Sequence, residues 1–278
     1  MSLAAANLKA DFPIGSHVAR LRTLTETIRA LPAGRPAQLF LGNPRGGSLK
    51  KLGDGELAAA AAAVVQAAEM GARLYAHAPY TINLCRAAGG TDLLCQHLQM
   101  AVAIGCRGVV VHVGKSVELA AGEAIANMRA NVAIAAQFAT AECPLLIETP
   151  AGQGTETLTG FEEFIEFVSA AATLDSGISA AATLDADQAE APAAAFGAAR
   201  IGICVDTCHV FACGHDPVEF VRRASATGLL RLVHFNDSAG DCGSCVDRHA
   251  SPGTGLIGGA RLREVALFCD GRYDMVVE

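Results

Sequence analysis

His, Asp and Glu recur in this chain at or just past the ends of short apolar runs: His77 in LYAHAP, His112 in VVVHVG, Glu148 in LLIETP, and Asp206 with His209 in ICVDTCH. His234 follows in LVHFND, Asp247 and His249 in VDRH, and Glu278 closes MVVE. Imidazole and carboxylate are metal donors, and these nine are too many for one tetrahedral ion. They suit two or three. Without thiolate the set fits Zn2+, and it also admits Mn2+ or Fe2+. Closely spaced ions of this kind activate water and stabilise both oxygens in a phosphoester displacement.

Such donors work only if the fold gathers them. The apolar runs alternate with helical stretches, the pattern of a parallel sheet wrapped by helices. Candidate strands are Ile14 to Val18, Gln38 to Gly42, Arg73 to His77, Gly108 to His112, Pro144 to Glu148, Ile201 to Asp206, Leu230 to His234 and Met275 to Glu278. Eight strands predict an α/β fold of the (β/α)8 TIM barrel type, one domain over residues 1–278, whose C-terminal strand ends share one mouth. Helices are expected over Glu56 to Met70, Asp92 to Ile104, Ala120 to Ala139 and Gly160 to Ala171. His209, three residues past Asp206, reaches the same mouth if the chain turns there into a helix. Asp247 and His249, two apart, lie on one side of an extended loop.

From Ser169 to Ala199 the chain is Ala-rich and repeats SAAATLD at Ser169 to Asp175 and at Ser179 to Asp185. This reads as a low-complexity insertion over residues 172–199, before the sixth strand, on the helix side of the barrel, where added loop length costs little. No chemistry is assigned to it.

At 278 residues and 51% apolar composition, the chain suffices for one barrel of roughly 250 residues. The N-terminal MSLAAANLKADF has neither a basic n-region nor a continuous apolar h-region, and no stretch reads as a membrane span. The expectation is an intracellular monomer, cytoplasmic or nuclear and not secreted. Ten Cys spread through strands and helices suggest free thiols in a reducing compartment. A net charge of -7 argues against nucleic acid as partner. That argument weakens when bound cations are added to the sum.

VDTCHVFACGHD (Val205 to Asp216), HFNDS (His234 to Ser238), VDRH followed by GTGLIG (Val246 to Gly258), HAPYTIN (His77 to Asn83) and AGQG (Ala151 to Gly154) resemble, in order, the signatures of the endonuclease IV family, the metal-dependent apurinic/apyrimidinic endonucleases of base excision repair. The resemblance runs from IGSHV near Ile14 to Glu278. It implies a trinuclear zinc cluster. His77 and His112 would hold one ion, Asp206, His234 and Glu278 a second, with Glu148 bridging them as the catalytic carboxylate. His209, Asp247 and His249 would hold the third. The implied reaction cleaves the phosphodiester 5' to an abasic site in double-stranded DNA, leaving a 3'-hydroxyl and a 5'-deoxyribose phosphate. Arg45 and Tyr80 match positions that the family uses to bind DNA, where the abasic nucleotide is flipped out.

The sequence departs from the family at His112-Val113-Gly114, Glu148-Thr149-Pro150 and Gly253-Thr254-Gly255, none of which removes a proposed donor. It also stops at Glu278, where family members continue into a loop and a final helix. The second ion is therefore expected to be the weakest held, on a strand free to fray. His17 and His97 receive no ligand role. The CxxC at Cys242 to Cys245 lacks a second pair at zinc-finger spacing, and Cys208 reads as a small packed hydrophobe. GTGLIG is weak evidence of phosphate cradling, and Arg45 and Tyr80 have bland alternatives as a solvated cation and a core aromatic. Two other readings compete: a sugar isomerase barrel with two metals, and a non-catalytic DNA-binding relative.

Overall fold

The computed structural model describes residues 8–176 and 199–278. Eight parallel strands close a barrel in the order β1 (Gly15–His17), β10 (Asp274–Val277), β7 (Leu230–His234), β6 (Ile201–Asp206), β5 (Leu145–Glu148), β4 (Val109–His112), β3 (Arg73–His77) and β2 (Pro36–Phe40). Strands buried on both faces read as unbroken apolar runs, which is why VVV, LLI and ICV mark β4, β5 and β6. Around the barrel lie α1 (Leu24–Arg29), α2 (Asp54–Glu69), α3 (Thr91–Ile104), α4 (Ala121–Ala136), α5 (Phe161–Ser176), α6 (Thr207–Ala212), α7 (Pro217–Ala226) and α8 (Gly258–Cys269). Their buried faces join the outer faces of the strands in one large apolar layer.

The expected elements recur, with shifted ends. β2 begins two residues early because Pro36 to Phe40 pairs in register with Arg73 to His77. The first SAAATLD copy does not leave the helix. Its Ala and Leu residues are strong helix formers, and α5 runs on to Ser176 with Ala172 buried. The second copy lies outside the described residues. β10 is bonded on both sides, to β1 and β7, and Met275 and Val276 are buried, so the segment leading to Glu278 is pinned rather than frayed.

Beyond β7, β8 (Asp237–Ser238) pairs antiparallel with β9 (His249–Ala250). Asp237 organises the loop that follows. Its carboxylate accepts from the backbone N–H groups of Gly253, Gly255, Ile257 and Gly258. GTGLIG is thus a loop whose amides are already spoken for. At Gly255 a Cβ would sit 2.3 Å from Ser238 O, which demands glycine. No helix among the described residues is long and apolar enough to cross a membrane.

Candidate metal centre

Strand periodicity aims the donors. Tyr75, Val110, Leu146, Cys204, Leu232 and Val276 form an apolar plug inside the barrel. Two residues further along the same strands stand His77, His112, Glu148, Asp206, His234 and Glu278. Since side chains alternate faces, each donor points into the lumen one layer above the plug. Asp206 also starts α6. Its Oδ1 accepts from the backbone of Cys208 and His209 at 2.7 and 3.0 Å, capping the helix and returning His209 to the mouth one turn later. Asp247 arrives on the β8–β9 connection and His249 opens β9.

The nine donors assemble into three groupings, in each of which one donor atom per residue lies within 4.8 Å of the others. One is His77, His112 and Glu148; another is Glu148, Asp206, His234 and Glu278; the third is His209, Asp247 and His249. Glu148 belongs to two. Its Oε2 stands 3.3 Å from His77 Nε2 and 3.6 Å from His112 Nδ1, while its Oε1 stands 2.9 Å from His234 Nδ1. Cys208 also lies near Asp206 and His249. Burial and the neighbouring Asp206 push its thiol up to about 11, so in the metal-free pocket it stays protonated at neutral pH.

Outer contacts fix the rings. His77 Nδ1 donates to Ala78 O at 2.7 Å, and His209 Nδ1 to Thr149 O at 2.9 Å. Because a carbonyl only accepts, the other ring nitrogen of each faces the pocket with its lone pair whenever the imidazole is neutral. His234 Nε2 donates to Gln38 Oε1 at 2.9 Å, and Gln38 Nε2 donates to Glu278 Oε1 at 2.6 Å. Asn236 Nδ2 holds Asp206 Oδ2 at 2.7 Å, and its Oδ1 accepts from the Glu278 backbone at 3.0 Å.

Asp247 Oδ1 lies 3.2 Å from both His209 Nε2 and His249 Nε2, yet neither buried nitrogen has a hydrogen-bond partner. Two unsatisfied imidazole nitrogens on one carboxylate form an arrangement that a cation completes. The electrostatics agree. Burial opposes charge on His209, but Asp206, Asp247 and Glu148 hold its imidazolium well above the ordinary histidine range. Burial likewise opposes charge on His234, where Cys204, Glu278 and Glu148 prevail. Glu148 resists burial through His112 and His234, which keep its carboxyl well below its usual value. A pocket of buried carboxylates therefore draws positive charge into itself.

The side chains of His77, Glu148, Asp206 and His234 are 0% exposed, whereas His112, His249 and Asp247 are 26%, 24% and 34% exposed. A ligand must approach from the latter side. Tyr80 overhangs it, with its ring centroid 5.3, 5.7 and 5.6 Å from those of Phe40, His77 and His112. Its body is packed while 55% of the residue stays exposed, so it is a rim aromatic and not a core one. Burial, then Glu278, Glu148 and Asp247, push its phenol up to about 12. Arg45 is exposed on the loop after β2. Hydrogen bonds from Tyr80 N to Pro44 O (2.9 Å) and from Thr81 Oγ1 to Gly46 O (2.8 Å) bind the two loops together.

Sequence reasoning missed Gln38, Asn236 and Thr149. Gln38 left a trace as a lone polar residue inside the apolar run PAQLFLG. His17 lies in its shell, with Nδ1 3.1 Å from Gln38 Nε2. His97 is buried elsewhere, both ring nitrogens unpartnered, and burial lowers it to about 4.

A family model described as a xylose isomerase-like TIM barrel matches residues 37–267. A probable endonuclease 4 from Symbiobacterium thermophilum is 38% identical over 235 residues, covering 80% of this chain and 75% of its own. One from Streptomyces coelicolor is 30% identical, covering 88% and 81%. Endonuclease IV from Thermus thermophilus superposes with a TM-score of 0.71 at 24% identity, covering 96% of this chain and 92% of that one. A D-tagatose 3-epimerase-like protein shares the fold at 0.60 and 16% identity, covering 95% and 89%, so the barrel alone does not separate nucleases from sugar enzymes. Identity at this level over this length does so for ancestry, and the chain belongs to the endonuclease IV family.

Proposed function

We propose that this protein is a metal-dependent apurinic/apyrimidinic endonuclease that hydrolyses the phosphodiester 5' to an abasic site in duplex DNA. The observation that carries the reading is the division of nine donors into three groupings, two of which share Glu148. His77 and His112 would hold one Zn2+, Asp206, His234 and Glu278 a second, and His209, Asp247 and His249 a third. Glu148 would serve the first two. Such ions supply an activated water and charge stabilisation for phosphoryl oxygens. A two-metal sugar isomerase leaves the third grouping without a purpose.

The chain's own groups do the rest. Glu148, held ionised by its histidines, keeps a negative charge at the centre of the pocket. Gln38, Ala78, Thr149 and Asn236 orient the donors before substrate arrives. Arg45 offers an exposed cation to a DNA phosphate, and Tyr80 an aromatic face where a base is missing. A 3'-hydroxyl and a 5'-deoxyribose phosphate are the expected products.

The test is cleavage of a duplex carrying one tetrahydrofuran abasic analogue, alongside metal analysis of the purified protein. Incision 5' to the analogue with three ions per chain supports the proposal. Turnover of a ketose or aldose without incision would replace it with the isomerase.

A further inference from the structure

The CxxC on the β8–β9 connection has no part in the metal centre, yet the fold brings a third thiol to it. Seven of the ten cysteines are buried; Cys213 is half-buried, and Cys242 and Cys245 are exposed. Cys213 caps the C-terminal end of α6, the helix that carries His209. Gly243 N donates to Phe211 O at 3.1 Å and Cys245 N to Ala212 O at 2.9 Å, so the CxxC turn is bonded to that helix end. The amide of one cysteine thus meets the carbonyl just before the other, which brings the two Cα atoms toward the roughly 4.4–6.8 Å that a disulfide spans.

The sulfurs converge too. From the position a Cβ would take on Gly152, Cys245 Sγ lies at 3.1 Å and Cys213 Sγ at 3.2 Å. Gly152, at φ +78°, has no side chain to fill that space. Cys213 Sγ donates to Pro150 O at 3.2 Å. Burial and the adjacent Cys245 push the Cys213 thiol up to about 12, so the exposed Cys245 is the sulfur that meets an oxidant first.

We propose that Cys213 and Cys245 are a reversible redox pair that hydrogen peroxide closes to a disulfide, fastening the loop of Asp247 and His249 to the helix of His209. The Cys245 thiolate attacks one peroxide oxygen. An S–O bond forms, the O–O bond breaks, and the departing hydroxide takes a proton to leave as water. The Cys213 sulfur then attacks the Cys245 sulfenic sulfur; the S–S bond forms, the S–O bond breaks, and hydroxide leaves as water with the Cys213 thiol proton. The two thiols lose two electrons, which the peroxide gains. The pair stands without the nuclease reading, which supplies only its consequence, a tie across one donor set.

The full chain is treated with hydrogen peroxide, alkylated in denaturant and mapped by fragmentation mass spectrometry. The expected result is loss of two thiols, a link between Cys213 and Cys245 within one chain, and their return with dithiothreitol. Cys242→Ser should leave the link intact, and Cys213→Ser should trap a dimedone-reactive sulfenic acid at Cys245. Should Cys213→Ser fail to fold, alkylation of Cys245 in the native wild-type protein must abolish the link instead. A Cys242–Cys245 link, a link between chains, or two thiols that survive peroxide would overturn the proposal. If the link forms in a protein that incises no abasic duplex, the nuclease reading fails while the redox pair holds.

Discussion

Gln38 and Glu278, 240 positions apart in sequence, meet at 2.6 Å, with the Gln38 amide N–H donating to Glu278 Oε1. The same side chain accepts His234 Nε2 at 2.9 Å. One neutral residue of β2 therefore orients two donors brought by β7 and the end of β10. Gln38→Leu preserves bulk but removes both contacts and should weaken metal retention by about 10–100-fold, the usual scale for an outer-shell partner. Stepwise chelation followed by metal counting checks this. Unchanged retention would leave Gln38 a packing residue.

Glu148→Gln keeps the size of the residue common to two groupings and deletes its charge. Cleavage should fall by several orders of magnitude while abasic duplex still binds. Near-normal single-turnover rates in this variant would rule out Glu148 as the shared carboxylate.

Glu278 is tethered through its backbone N–H to Asn236 and through its side chain to Gln38. Deleting Glu278 should abolish cleavage and remove the second ion, leaving the His209, Asp247, His249 grouping able to hold its own. Full activity after deletion would require another ligand.

Acidity acts in opposite senses on metal-free and metal-loaded protein. Burial opposes protonation of His77, His209, His234 and His249, but their carboxylate neighbours raise all four. In the metal-free fold each contributes stability that is fully present below the ordinary histidine value of about 6.5 and is lost as pH rises through its raised value. His112 and His97, lowered by burial, act in the reverse direction but are fewer. Glu148, Asp206 and Glu278 are lowered, so their contribution is lost only as pH falls through their depressed values. Metal-free protein should have its highest Tm near pH 5–6 and soften toward pH 8. With Zn2+ present, protons compete for the imidazoles, so Tm and activity should fall together as pH drops from about 7.5 to 5. Parallel thermal scans with and without chelator decide it; a metal-free Tm that climbs steadily above pH 6 would contradict the assignment.

Tyr80 and Arg45 sit on loops bound together at the rim. Tyr80→Ala and Arg45→Ala should each weaken binding to abasic duplex by roughly 1–3 kcal/mol, the scale of a lost stacking contact, with metal content unchanged. Equal losses on undamaged duplex would show that these residues supply general affinity only.

The sequence by itself determined the barrel and the imidazoles and carboxylates at its mouth, because strands buried on both faces must be apolar runs and polar groups at the mouth must interrupt them. Arg73 to His77, Ile201 to Asp206 and Leu230 to His234 end where the runs end. The period of two along each strand already aimed His77, Glu148, Asp206 and His234 the same way as the interior residues two positions before them. Only the tertiary structure decided what depends on closing the barrel. Gln38 meets Glu278 because β10 inserts between β1 and β7 and brings the end of the chain to its beginning. Asn236, just past β7, meets Asp206 from the neighbouring β6 and the Glu278 backbone from beyond the neighbouring β10. The pairing of Cys213 with Cys245 across Gly152 was likewise invisible in a CxxC read alone, since it depends on a loop and a helix end that meet only in three dimensions.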